Sequence, residues 1–246
     1  MASAQGMIVG ALLLALALGG CAGPGLDSPR MHASPYDASR GEPTWAVVPL
    51  RNESGTSLLA EDRISDAVVA AAAQTQGLRC LPLNRTLAAM RSLSMERVES
   101  PAQLRQLAAA MGADGIIVGS ITEYDPYTPK LGLALALYAP PGALASGRSE
   151  PVDPRHLTYQ PTDYDYFEGA AFQDDPLAVV SVYLDGKNHQ VQMDVKDYAT
   201  GRHDRRSALE WKRYLAIMDL YTEFAAWHAV GRLLDHEWIR LAGAGG

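Results

Sequence analysis

Two neighbouring stretches limit the folds open to this chain more than any others. Gly115-Ile116-Ile117-Val118-Gly119-Ser120-Ile121-Thr122 is a β-branched run, and such side chains suit the pleated surface in the middle of a sheet. Lys130 to Tyr138 follows closely, with Leu131, Leu133, Leu135 and Leu137 alternating with small residues, the period of a neighbouring strand. Two buried strands cannot make a core alone; they need further strands and a helical cover. The preceding sequence supplies both. Thr44 to Leu50 reads as a mostly buried strand, with turn-forming residues from Asn52 to Gly55. From Asp62, the positions Ile64, Ala67, Val68, Ala71 and Ala72 recur at spacings of three and four and predict a helix, which Gly77 would end at C′. Leu78 to Leu83 is expected as a short strand, and Asn84 as the cap of a helix carrying Leu87, Ala88 and Met90. Ser100-Pro101-Ala102-Gln103 combines an N-cap, a proline at N1 and a capping-box glutamine, opening a helix from Pro101 to Met111 that stops at Gly112. The order β-α-β-α-α-β-β predicts the α/β class, a mixed sheet covered by helices.

Beyond Ala139 the texture changes. Residues 139–176 hold prolines 140, 141, 151, 154, 161 and 176 and a tyrosine-rich piece from Tyr159 to Phe167, and are expected as an irregular insertion, disordered or functional. Leu177 to Leu184 is expected as another strand. Residues 189–199 fit a short helix through Val191, Val195 and Tyr198, although Val191, Met193 and Val195 also alternate as a strand would; helix is preferred. The end of the chain, residues 205–241, reads as an amphipathic helical segment with Ile217, Tyr221, Phe224, His228, Gly231, Leu234, Trp238 and Leu241 on one face.

The start of the chain speaks to location. Met7 to Leu18 is an apolar run of twelve residues, too short for a spanning helix, which needs about 20, but of signal-peptide length. It ends in Leu18-Gly19-Gly20-Cys21, which resembles the bacterial lipobox. Residues 1–20 are then a lipoprotein signal peptide, and Cys21 carries a diacylglycerol and an amide-linked third acyl chain, palmitate-like anchors that exceed the two-signal threshold for stable membrane attachment. Met1 to Gly6 departs from the usual pattern in lacking Lys and Arg. Ala22 after the cysteine lacks the aspartate of an inner-membrane retention signal, which favours the periplasmic face of an outer membrane. Residues 21–43, rich in Pro, Ser, Gly and Asp, are expected as a flexible tether, with order beginning at Thr44 and one α/β domain filling residues 44–246. Net charge is −7, which argues against a nucleic-acid partner. Once Cys21 is lipidated, Cys80 has no partner in the chain and reads as a buried, inert thiol.

Two stretches carry a family resemblance. Trp45-Ala46-Val47-Val48-Pro49-Leu50-Arg51-Asn52-Glu53-Ser54-Gly55 is similar to the opening strand and loop of curli-secretion (CsgG-like) lipoproteins and of the TolB N-terminal domain. Gly112-Ala113-Asp114-Gly115-Ile116-Ile117-Val118-Gly119-Ser120-Ile121 resembles their later Gly-Ala-Asp strand. The resemblance spans residues 44–138 and implies a compact domain for assembly or protein contact in the envelope, without known chemistry. It does not imply a pore, because Leu131 to Tyr138 is apolar on both faces rather than alternating as a membrane hairpin does.

Searching for chemistry gives little. The histidines 32, 156, 189, 203, 228 and 236 show no H-E-x-x-H spacing, there is no cysteine cluster for zinc, and phosphate-loop and nucleophile-elbow patterns are absent. No catalytic residue, metal or cofactor is assigned. Asp163, Asp165, Asp174 and Asp175 could in principle serve a hydrolase as paired carboxylates, but a solvated acidic loop is the simpler account. Tyr124-Asp125-Pro126-Tyr127 leaves the central strand at its carboxyl end, where open α/β sheets bind ligands; Tyr124, Asp125 and Tyr127 are therefore the candidate ligand or partner contacts, with a plain turn as the alternative. Trp211, Tyr214, Tyr221, Phe224, Trp227 and Trp238 could face a partner or pack on the sheet. The expectation is a non-catalytic, membrane-anchored interaction or assembly module with an envelope protein partner or a second copy of itself. A small-ligand or glycan sensor is the alternative, and an envelope hydrolase comes third.

Overall fold

The computed structural model describes residues 28–37, 39, 41–140, 142–144, 175–203 and 207–243. The signal peptide, Cys21 and residues 145–174 of the insertion lie outside the described residues. Strand β1 (Thr44–Val47) is flanked in parallel by β3 (Arg79–Cys80) and β4 (Gly115–Asp125), while β2 (Arg51–Asn52) runs parallel to the far half of β4. The strands β5 (Lys130–Tyr138) and β6 (Ala178–Asp185) add antiparallel, giving the order β3-β1-β4-β5-β6. The α/β class, with a mixed sheet covered by helices, is what the chain adopts. Its parallel part needs helical crossovers, whereas β4 and β5 are joined by a hairpin and β5 reaches β6 through residues 139–177. The helices are α1 (Glu61–Ala73), α2 (Leu83–Ser92), α3 (Pro101–Met111), α4 (His189–Ala199), α5 (Arg213–Ala216) and α6 (Met218–Gly243).

Alternation along the strands sorts the core into two layers. Trp45, Val47, Ile117, Ile121 and the four leucines of β5 are buried on the face covered by α1 and α6. Ala46, Val48 and Ile116 face the other way and meet Met90 of α2 and Leu104, Leu107 and Met111 of α3. Full burial of one such aliphatic side chain contributes about 1.5–3 kcal/mol, so the leucine row of β5 anchors the larger layer.

Several boundaries differ from expectation, each for a local reason. Only Arg79–Cys80 of the strand expected at 78–83 pairs, because Pro82 takes the N-cap position and the helix begins at Leu83; Asn84 therefore sits inside α2 and does not cap it. Gly77 has the positive φ of 74° expected of a terminating glycine, yet α1 has already ended, with Gln74 at its cap, and Gly77 serves the turn into β3. Ser100 caps α3 as predicted, accepting from the Gln103 N–H at 3.3 Å, and Gly112 ends it in the left-handed conformation. Residues 189–199 are helical, capped by the Asn188 side chain. The C-terminal segment is not one helix: a 3₁₀ turn (Glu210–Lys212) and α5 lead to Ile217, whose extended backbone (φ −119°, ψ 112°) breaks the run before α6. Ile217 and Trp238, placed on the buried face by periodicity, are instead 44% and 50% exposed.

A larger correction concerns the tether. Order does not begin at Thr44, because residues 30–37 lie against the domain as a strap. Ala33 forms a parallel bridge with Gln76, with Ser34 N–H donating to Gln76 O and Gln76 N–H to His32 O, both at 2.9 Å. The His32 ring stacks on Trp227 with centroids 4.3 Å apart and its Nε2 lies 3.1 Å from the Trp227 carbonyl. Gly231 makes room for that ring, since a β-carbon there would collide with it. Tyr36 donates its hydroxyl to Glu237 Oε2 at 3.0 Å. Glu237, fully buried, is held on both oxygens by Arg240 at 2.8 and 2.7 Å, and Arg240 also donates to the Leu144 carbonyl at 2.7 Å. Burial and the adjacent Glu237 push the Tyr36 hydroxyl far up, so it stays protonated and remains a donor.

Candidate functional site

Helices α1 and α6 pack side by side over the sheet, and their seam opens into a groove of about 620 Å³. One stripe of α1 forms the first wall: Ala60, Arg63, Ile64, Ala67, Ala70 and Gln74 recur at three- and four-residue steps. Asp219, Thr222, Glu223 and Trp227 do the same on α6. The alanines keep the α1 wall low, which holds the seam open. Tyr124, leaving β4, closes the outer end beside Leu58, and Tyr198 of α4 lines the inner end with Trp227.

The groove is acidic. Arg63 and Asp219 bridge its mouth at 3.4 Å, but with side chains 75% and 74% exposed such a pair contributes about 0–1 kcal/mol. Asp66 and Glu223 accept no hydrogen bond and pair with no cation among the described residues. Partial burial, and then the like charge of Asp219 one turn away, raise the Glu223 pKa above the ordinary carboxylate value. Burial followed by Asp219 also raises Tyr124, against the opposing pull of Arg63. The Tyr198 hydroxyl is pushed up to about 12 by burial, although the Arg202 guanidinium lies 4.3 Å over its ring. Trp227, only 9% exposed, keeps its indole N–H without a hydrogen-bond partner among the described residues.

The three contacts proposed from sequence part company here. Tyr124 lines the groove. Asp125 is used in the hairpin turn between β4 and β5, where its Oδ1 accepts from the N–H of Tyr127 at 2.9 Å and of Thr128 at 3.1 Å. Those two bonds hold its carboxyl below the usual range. Tyr127 stands at the hairpin tip, 87% exposed. Of the aromatic residues considered as a partner surface, Tyr221 and Phe224 are fully buried in the core, and only Trp238 is exposed by half. Sequence reasoning missed Asp66, Asp219 and Glu223, since nothing local joins residues 60–74 to residues 219–227. Among the described residues no group of three or more His, Cys, Asp or Glu is placed to hold a metal, and no helix is long and apolar enough to cross a membrane. Cys80 is partly buried and its thiol is pushed up to about 12, which leaves it unreactive at neutral pH.

No family model matches the chain, and no curated protein matches it. Solved structures to which it is similar include the LpoB C-terminal domain from Salmonella enterica, at 10% identity over 58% of this chain and 83% of that chain with a TM-score of 0.39. Another is lipoprotein GNA1162 from Neisseria meningitidis, at 14% identity over 61% and 88% with a TM-score of 0.36. A third is the hypothetical protein CT253 from Chlamydia trachomatis, at 12% identity over 82% and 97% with a TM-score of 0.34. These likenesses, all with TM-scores below 0.4, carry no argument about what this chain does. The narrower resemblance to curli-secretion and TolB proteins gains no support from them.

Proposed function

We propose that this chain is a lipid-anchored envelope protein that acts without chemistry of its own, by holding another envelope protein along the α1–α6 groove. One observation carries this proposal: the groove runs along one stripe of α1 from Ala60 to Gln74 and faces Asp219 to Trp227 of α6, an elongated seam of alanines, aromatic rings and carboxylates of the kind that takes up a protein segment. From Ala60 to Gln74 the α1 wall runs about 21 Å, longer than a small ligand requires and suited to a segment of protein. The twelve-residue apolar run before Leu18-Gly19-Gly20-Cys21 supports anchoring through Cys21, and Ala22 supports the outer-membrane periplasmic face. The sequence resemblance of residues 44–138 to CsgG/TolB-like domains supports an assembly role.

A photo-crosslinking amino acid in place of Ala70, in the groove, or of Glu99, on the far side of the sheet, tests this in intact cells. Irradiation should give one discrete protein adduct from position 70 and none from position 99. Cys21→Ser in the same background should remove both the membrane association and the adduct. Equal labelling from the two positions would exclude the groove as the contact site.

A further inference from the structure

We propose that the occupant of the α1–α6 groove is a basic amphipathic helix of a partner protein, laid along the seam with Lys or Arg side chains against Asp66, Asp219 and Glu223. This rests on the groove assignment above and names the chemistry it selects. Shape gives the first support. The α1 wall is about four helical turns long, and Ala67, Ala70 and Ala71 line it, so a third helix can approach the seam at the 8–10 Å typical of packed helices. Leu58, in the lining, is 64% exposed and offers apolar surface to the non-polar stripe of such a helix.

Charge gives the second. The lining holds three carboxylates and one guanidinium, and that guanidinium is already engaged by Asp219. Glu223 stands one turn from Asp219 on the same wall, a like-charge spacing that disfavours a helix and that the exposed Arg63 pair with Asp219 relieves only in part. A cation seated between them turns that repulsion into attraction.

The experiment uses the detergent-solubilised full chain and fluorescein-labelled peptides of about 15 residues, chosen to span about 21 Å as a helix. One carries leucine at every third and fourth position with lysine elsewhere, and the other replaces lysine by glutamate. Anisotropy should show saturable binding of the lysine peptide only. Asp66→Asn combined with Glu223→Gln should weaken it at least tenfold and flatten its salt dependence, while Glu96→Gln combined with Glu99→Gln, on the far side, should leave it within twofold; thermal melts establish that both variants fold. Three results overturn the proposal: no saturable binding, equal weakening by the two variant pairs (a general response to a chain of net charge −7), or a sedimentation shift showing that a second copy occupies the groove and leaves when the carboxylates are neutralised. If the peptide fails while position 70 still crosslinks a partner, the groove stands and only the basic helix is wrong. Loss of that crosslink removes the groove assignment itself.

Discussion

Glu223 and Glu237 lie on the same helix, four turns apart, and could hardly be treated more differently. Glu237 is fully buried, yet Arg240 holds both of its oxygens and Tyr36 adds a third bond. Glu223 is exposed, sits beside the like charge of Asp219 and has no partner among the described residues. The cost of removing a carboxylate from water is met only where both oxygens are bonded and the charge is paired. At Glu237 the fold meets that condition and gains a clasp joining the strap, residue Leu144 and the C-terminal helix. At Glu223 a destabilising arrangement persists at a surface, where its cost is small and its charge is available. Burial with complete bonding marks structure; exposure with unmet charge marks a surface open to contact.

The widest gap between the two sites should appear in stability. Glu237→Gln leaves the Arg240 guanidinium facing an uncharged amide in a buried clasp, and is expected to lower unfolding free energy by about 3 kcal/mol, read from the shift in urea midpoint. A loss below 1 kcal/mol, by the scale of a single net hydrogen bond, would show that the clasp is not structural. Gly231→Ala sharpens the comparison from the strap side. The new methyl group occupies the place of the His32 ring, so tryptic cleavage after Arg30 should accelerate on the order of tenfold, about 1.4 kcal/mol of lost docking. The helix itself gains up to about 1 kcal/mol from losing a glycine, which offsets most of that loss, so the midpoint of the domain should fall only slightly. Slower or unchanged cleavage would mean that His32 does not anchor the strap.

Glu223→Gln is the smallest effect and the one with a pH signature. The folded-state pKa of Glu223 is raised, so its contribution to stability is fully present below the unfolded value and is lost as pH rises through the folded one. At pH 7 the glutamine variant should be more stable by no more than about 0.5 kcal/mol. That advantage should vanish on acidification below the ordinary glutamate range. A variant less stable at pH 7 would reveal a cation partner for Glu223 in the free protein.

How much of this was legible in the sequence follows from how local each signal is. The leucine row of β5, the Ser100 cap and the Gly112 stop are written within a few residues of where they act, and each fell where expected. Strand β3 and the start of α2 were misplaced because Pro82, a good entry to a helix, stands inside an apolar run that reads as strand. The break at Ile217 was invisible to periodicity, since one extended residue barely disturbs a helical pattern. The strap escaped notice for a different reason. His32 and Tyr36 are two rings in a polar, proline-rich stretch, and their value depends on Trp227, Gly231 and Glu237, nearly two hundred residues away. The groove was half legible: Tyr124 was singled out, but the carboxylates that give it character come from two helices with no sequence connection.

The strap also fixes a length. If an acyl anchor sits at Cys21, a free leash of residues 22–43 could carry the domain as far as about 75 Å from the lipid surface, by the reach of an extended chain. With contacts made from Arg30 onward, the span from such an anchor to the strap is residues 22–29, at most about 28 Å at full extension. Under that condition the domain would work in the layer next to its own bilayer, and a partner would have to enter that layer to be met.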